Sequence, residues 1–326
     1  MTTFKRNFLA AGLLTVSLLA GCAEQPWDQP EFTEPMTLGG VAISPDVLNN
    51  GREAFMLNCY ACHGALGKGD GPSSPGLRPP PRDFTAGIFK FAGVAAGQLP
   101  HDSDLLRTIT RGLDGTPMLA WDIPDVERMA IIQYLKTLSP RWKDEKPGER
   151  VLPTPDPWQG KDAEAVAKGS KLYHGFVGCS GCHGSYVSFD AFAQVKLETQ
   201  GAAPTELSAA IYAQTLTESV EYQVKIPAPD FLFGRIKNGT TLEELYRTIA
   251  AGIGGAAMPS WKELPQPDLW ALVHYVKSII DLRDTPAGNA LRAKLTSQPA
   301  YVPPPPPAPP IDPNAPNAPA VPAPSK

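Results

Sequence analysis

The sequence predicts an all-α protein made of two tandem copies of one small helical domain, with a disordered N-terminal tether and a Pro-rich C-terminal tail. Three observations predict this. Two stretches, 45–140 and 163–285, repeat the same short motifs in the same order. Each copy closes on an apolar pattern of helical period. No strand-rich pattern runs through either copy. The chain has 326 residues, which suits two domains plus tails. Its hydrophobic content of 42% allows real cores but not a multi-span membrane protein. The formal charge is −4 and no basic run occurs, so nucleic acid is excluded as a partner.

Residues 1–21 read as an export signal. Lys5 and Arg6 precede an apolar run from Phe8 to Ala20. That run is shorter than the roughly 20 residues a permanent spanning helix needs. It ends in "LLAGC", which resembles the lipobox of bacterial lipoproteins, with Leu19, Ala20, Gly21 and Cys22 matching position by position. The resemblance implies export and a lipid anchor on Cys22, facing the periplasm. The acyl chains would hold it at a membrane surface. Residues 22–44 are polar and proline-punctuated and read as a flexible tether.

The first copy runs "GREAFMLNCYACHG", "PPRDF", "DLLRTITRGLDGTPMLAW" and "VERMAIIQYLKTL". The second runs "GSKLYHGFVGCSGCHG", "PAPDF", "ELYRTIAAGIGGAAMPSW" and "DLWALVHYVKSII". Arg107 precedes Met118 by eleven residues, as Arg247 precedes Met258, and Trp121 and Trp261 each follow three residues later. Val126, Met129, Ile132, Leu135 and Leu138 line one helical face in the first copy, and Leu269, Leu272, Val276 and Ile279 do so in the second. Residues 141–162, rich in Pro and charge, read as the linker. The copies differ by insertion. The second carries an insert over 185–226, in which "PTELSAAIYAQTLTESVEYQ" predicts a helix. The first carries the shorter excess "IFKFAGVAAGQLPHDSD". Residues 286–326 read as a Pro-rich tail that favours extended polyproline II.

Four of the five cysteines fall in two Cys-x-x-Cys-His motifs: Cys59, Cys62 and His63, then Cys179, Cys182 and His183. Such spacing serves zinc, a redox disulfide or a covalent haem. A zinc site would be incomplete, because each copy offers two thiolates and one His where four ligands are needed. A redox pair needs neither the following His nor a downstream Met. Covalent haem uses everything present. Two thiols one helical turn apart form thioethers with the two vinyl groups of one haem, and the adjacent His sits under the iron. Met118 and Met258, at matched places on Gly-rich turns, supply a sixth ligand of the electron-transfer kind.

Each copy therefore resembles a class I cytochrome c domain. Gly51 with Phe55, and Gly169 with Tyr173, stand on the opening helix, while Tyr134 and Tyr275 stand on the closing one. In that family the two helices cross at a small residue with an aromatic packed on it. The resemblance implies a lipid-anchored dihaem c-type cytochrome. Its two haems would be bound by Cys59, Cys62, His63 and Met118, and by Cys179, Cys182, His183 and Met258. It also implies an electron carrier rather than an enzyme, relaying between respiratory redox partners. The alternatives are a dihaem peroxidase and a fixed subunit of a quinol-oxidising membrane complex. A peroxidase needs an open iron position and a distal acid or base, which the sequence does not offer.

The remaining candidates read as structural. His101 suits a helix cap, and His174 and His274 suit packing. Met56 and Met129 read as core, Met36 as tether. Trp121 and Trp261 read as pocket walls. Arg78 and Arg82 are candidates for a haem propionate, but Pro229 replaces Arg82 in the second copy.

Overall fold

The computed structural model describes residues 30–219 and 224–304. The signal segment 1–21, Cys22, and the tail from 305 lie outside the described residues. Among the described residues no helix is long and apolar enough to cross a membrane.

The chain opens with a two-stranded antiparallel hairpin, β1 (Met36–Leu38) and β2 (Val41–Ile43), turned at Gly39 and Gly40. The first domain follows as α1 (Pro45–Asn58), the single turn α2 (Tyr60–His63), α3 (Asp102–Arg111) and α4 (Asp125–Thr137). A short α5 (Arg141–Asp144) begins the linker. The second domain repeats this as α6 (Asp162–His174), α7 (Ser180–His183), α9 (Leu242–Ala251) and α10 (Gln266–Ile280). Between α7 and α9 it inserts α8 (Phe189–Gln200), a 3₁₀ turn (Ala209–Tyr212) and a hairpin of β3 (Leu216–Glu218) with β4 (Lys225–Pro227). A last helix, α11 (Pro286–Thr296), follows α10.

Both domains are pinned by the same crossing. A Cβ on Gly51 would lie 2.1 Å from the Ala130 carbonyl oxygen, and one on Gly169 would lie 2.0 Å from that of Ala271. Only glycine admits so close an approach of the opening and closing helices. Phe55 packs on Tyr134 at 5.3 Å between ring centroids, and Tyr173 on Tyr275 at 5.1 Å. Burying these helix faces supplies most of each domain's stabilisation.

Three sequence expectations are corrected. Residues 30–44 are not tether: Leu38 is fully buried, Phe32 packs edge-on against Tyr134, and the Gly39 N–H donates to the Trp142 carbonyl at 2.6 Å. Leu38 and Trp142 thereby cap the first core. Residues 286–296 are helix, because Thr285 accepts from the Gly288 N–H and Pro286 suits the first helical position. Leu295 then buries against Phe189 and Tyr212. The predicted helix in the insert is displaced: α8 lies upstream, between the Ser188 N-cap and Gly201, and 204–218 makes the 3₁₀ turn and β3 instead.

The two domains touch. The Gly254 N–H donates to the Lys90 carbonyl at 3.3 Å, and the Ala96 N–H to that of Ala251 at 2.8 Å. Arg111 pairs with the buried Glu244, and Arg235 with Asp114 at 3.0 Å. The first copy's excess segment is thus the docking surface for the second. The linker lies flat on both domains. Val94 bridges Arg150, and Asp156 pairs with His274 at 2.8 Å.

Candidate cofactor sites

Cys59 ends α1, and the chain turns straight into α2. The His63 N–H donates to the Cys59 carbonyl at 3.0 Å, and His183 to Cys179 at 3.0 Å. One turn thus presents both thiols and the imidazole together. Gly64 (φ +76°) and Gly184 (φ +80°) then reverse the chain in a region that favours glycine.

Each imidazole is fixed by a backbone carbonyl. His63 Nδ1 lies 3.1 Å from the Arg82 oxygen, and His183 Nδ1 lies 3.1 Å from that of Pro229. A carbonyl only accepts, so Nδ1 carries the hydrogen and Nε2 keeps its lone pair for a metal. Each ring also stacks on the aromatic two residues beyond that carbonyl: His63 on Phe84 at 4.6 Å, His183 on Phe231 at 4.8 Å. Burial lowers the pKa of both histidines, which favours the neutral, ligating form.

Met118 and Met258 end matched turns. The Leu113 N–H donates to the Met118 carbonyl at 2.8 Å, and that of Ile253 to Met258 at 3.1 Å. In the first turn, Met118 N–H also reaches Thr116 Oγ1 at 3.1 Å. Cys59, Cys62, His63 and Met118 all line one crevice, walled by Pro79–Pro81, Phe84, Leu105, Ile109 and Trp121. In the second domain Cys179, Met258 and Trp261 border one core.

The donors fit haem c. In the first domain two thiols, a neutral imidazole and a thioether surround a mostly apolar crevice, as a large flat apolar group requires. Thiolate chemistry fits poorly. Burial, and then the neighbouring Cys62, push the Cys59 thiol up to about 12, and burial pushes Cys179 up to about 12. A reactive thiolate nucleophile sits where its pKa is depressed. A thioether carries no such charge.

The other candidates fall into place. His101 Nε2 lies 2.8 Å from the Gly148 carbonyl oxygen, and its N–H donates to Asp104 as α3 begins. His174 is fully buried among Tyr173, Phe192 and Tyr275, and His274 sits between Asp156 and Asp162. Met56 is core, Met129 packs beside it, and Met36 joins them from β1. Trp121 and Arg82 line the first crevice, whereas Arg78 donates to the Leu77 carbonyl at 2.8 Å.

The role of the Arg82 and Pro229 carbonyls was not read from the sequence, although the repeated "PPRDF" and "PAPDF" mark them. A polar cluster of Tyr186, Asp230 and Arg292 beside His183 carries no sequence signal, because its members stand far apart in the chain.

Comparison with known proteins agrees with this geometry. The cytochrome c family matches residues 48–139, and the family described as cytochrome c oxidase, cbb3-type, subunit III matches residues 164–276. No curated protein matches the chain. Among solved structures, the chain is similar to one from the Kuenenia stuttgartiensis reducing HAO-like protein complex Kustc0457/Kustc0458. The two share 29% identity at a TM-score of 0.56, over 71% of this chain and 96% of the other.

Proposed function

We propose, from the premise that the chain is a tandem of two cytochrome c domains with a covalent haem c in each, that it is an exported, lipid-anchored electron relay. Bound haem supplies one-electron chemistry. His63 and Met118 would hold one iron, His183 and Met258 the other. With these residues in place each site would leave no room for substrate and would exchange electrons.

The observation that carries the relay is the seam between the domains. Phe89 and Lys90 form part of the first crevice wall. The Lys90 carbonyl accepts from Gly254, on the turn that ends in Met258. A Cβ on Gly254 would lie 2.3 Å from the Phe89 oxygen. The backbone of one site thus rests on the wall of the other, which suits transfer within the chain. Cys22 would hold the relay at a membrane facing the periplasm, within reach of respiratory redox partners.

Redox spectroscopy of the purified protein tests the reading. It expects two low-spin centres with methionine ligation, one lost in Met118→Ala and the other in Met258→Ala. Absence of methionine ligation at both irons overturns it, and rapid reduction of hydrogen peroxide would replace it with a peroxidase. Cys22→Ser should move the protein from the membrane to the soluble fraction.

A fixed place in a redox complex is the second reading. It is favoured by the similar chain, which is named as part of a protein complex. Purification from native membranes in mild detergent, with a stoichiometric partner retained, would select it over a free carrier.

A further inference from the structure

Asp230 directly follows the residue whose carbonyl holds His183. Its Oδ1 accepts from the Tyr186 hydroxyl at 3.1 Å and from the Leu232 N–H at 3.0 Å. Its Oδ2 accepts from Gln214 at 3.1 Å and from the Arg292 guanidinium. Tyr186 Oη also accepts from the Phe231 N–H at 2.8 Å, so the same hydroxyl touches the residue stacked on His183. The carboxylate and the guanidinium are 17% and 18% exposed, so solvent screens them weakly. Arg292 is on α11 and spans to the insert, where it donates to the Tyr212 carbonyl at 3.2 Å. The first domain answers differently. Asp83 is held by the Thr85 N–H at 2.8 Å and hydroxyl at 2.6 Å, and only the four-residue α5 follows α4.

We infer that Arg292 sets the reduction potential of the second haem by offsetting the fixed charge of Asp230. Ferric haem carries one positive charge more than ferrous haem. An uncompensated carboxylate nearby favours the ferric form, and the guanidinium cancels that bias. Arg292 touches neither ligand, so it is a positioning residue acting through Asp230. The inference rests on His183 as the ligand, but not on the relay or its partners.

Spectroelectrochemical titration of the full haem-loaded protein tests it, with a small mediator supplying the electron. The second haem is identified as the component altered by Met258→Ala. Arg292→Met should shift that component's equilibrium toward the ferric form tenfold, which is 59 mV for a one-electron couple, and leave the other within twofold. Arg292→Lys should restore it. Asp230→Asn with Arg292 intact should shift it the opposite way, and the double variant Arg292→Met, Asp230→Asn should return it near the starting value. Unchanged potentials in Arg292→Met overturn the inference. So does an equal shift of both haems, or a double variant no better than the single one, which would mark Arg292 as merely structural. If Arg292→Met does not fold, the opposite shift in Asp230→Asn decides.

Discussion

The two domains hold one frame with different braces. Each has a glycine crossing, a Cys-x-x-Cys-His turn, a carbonyl on Nδ1, an aromatic under the imidazole and a methionine turn. Around that frame the first domain is closed by an apolar lid, Leu38 and Trp142, and the second by polar links among Tyr186, Asp230, Gln214 and Arg292. Met56 in the first corresponds to His174 in the second, and both are buried. The difference teaches which parts the cofactor demands and which parts are free to set each site's properties.

The largest test removes a brace. Trp142→Ala empties a fully buried site under β1, and should cost the first domain about 4 kcal/mol while the second melts as before. Domain-resolved thermal unfolding checks this. The shared crossing should instead behave alike in both halves. Gly51→Ala and Gly169→Ala each force a Cβ onto backbone carbonyl oxygen, and each should cost its own domain about 3 kcal/mol in the same measurement.

Acid should separate the domains. Burial holds His174 down at about 4, against 6.5 for the free side chain. The unfolded chain therefore binds the proton first, and stability drops as pH falls from 6.5 toward 4. The second domain should lose roughly 3 kcal/mol by pH 4 through this group. His174→Met, which copies the first domain, should abolish that loss in urea titrations at pH 7 and pH 4. The smallest effect is at the seam. Arg111→Gln should weaken interdomain docking by about 1 kcal/mol and lower the melting temperature of whichever domain unfolds first, without changing either domain's spectrum.

Much of the frame was legible because repetition doubles each signal. Cys59, His63 and Met118 gain meaning from Cys179, His183 and Met258 in the same order, and the glycine–aromatic pairs predicted the crossing that the structure has. The braces were less legible, since they join distant segments. "MTLGGVAI" is a hairpin by its paired glycines, yet its proline-rich surroundings pulled the reading toward tether. Thr285-Pro286 starts a helix, but the prolines further on dominated the composition. In the insert, Ser188 and Gly201 were the true helix ends, and the apolar residues after 204 make only one 3₁₀ turn, with no α-helical run.

The linker has one more consequence. Its near end is stitched to the first domain at Val94, and its far end to the second at His274, so the linker is held by both domains. In the proposed relay the separation of the two irons would then be settled when the chain folds. Glycerol or salt should slow encounters with outside donors while leaving the proposed internal hop untouched, because nothing would have to diffuse for it to occur.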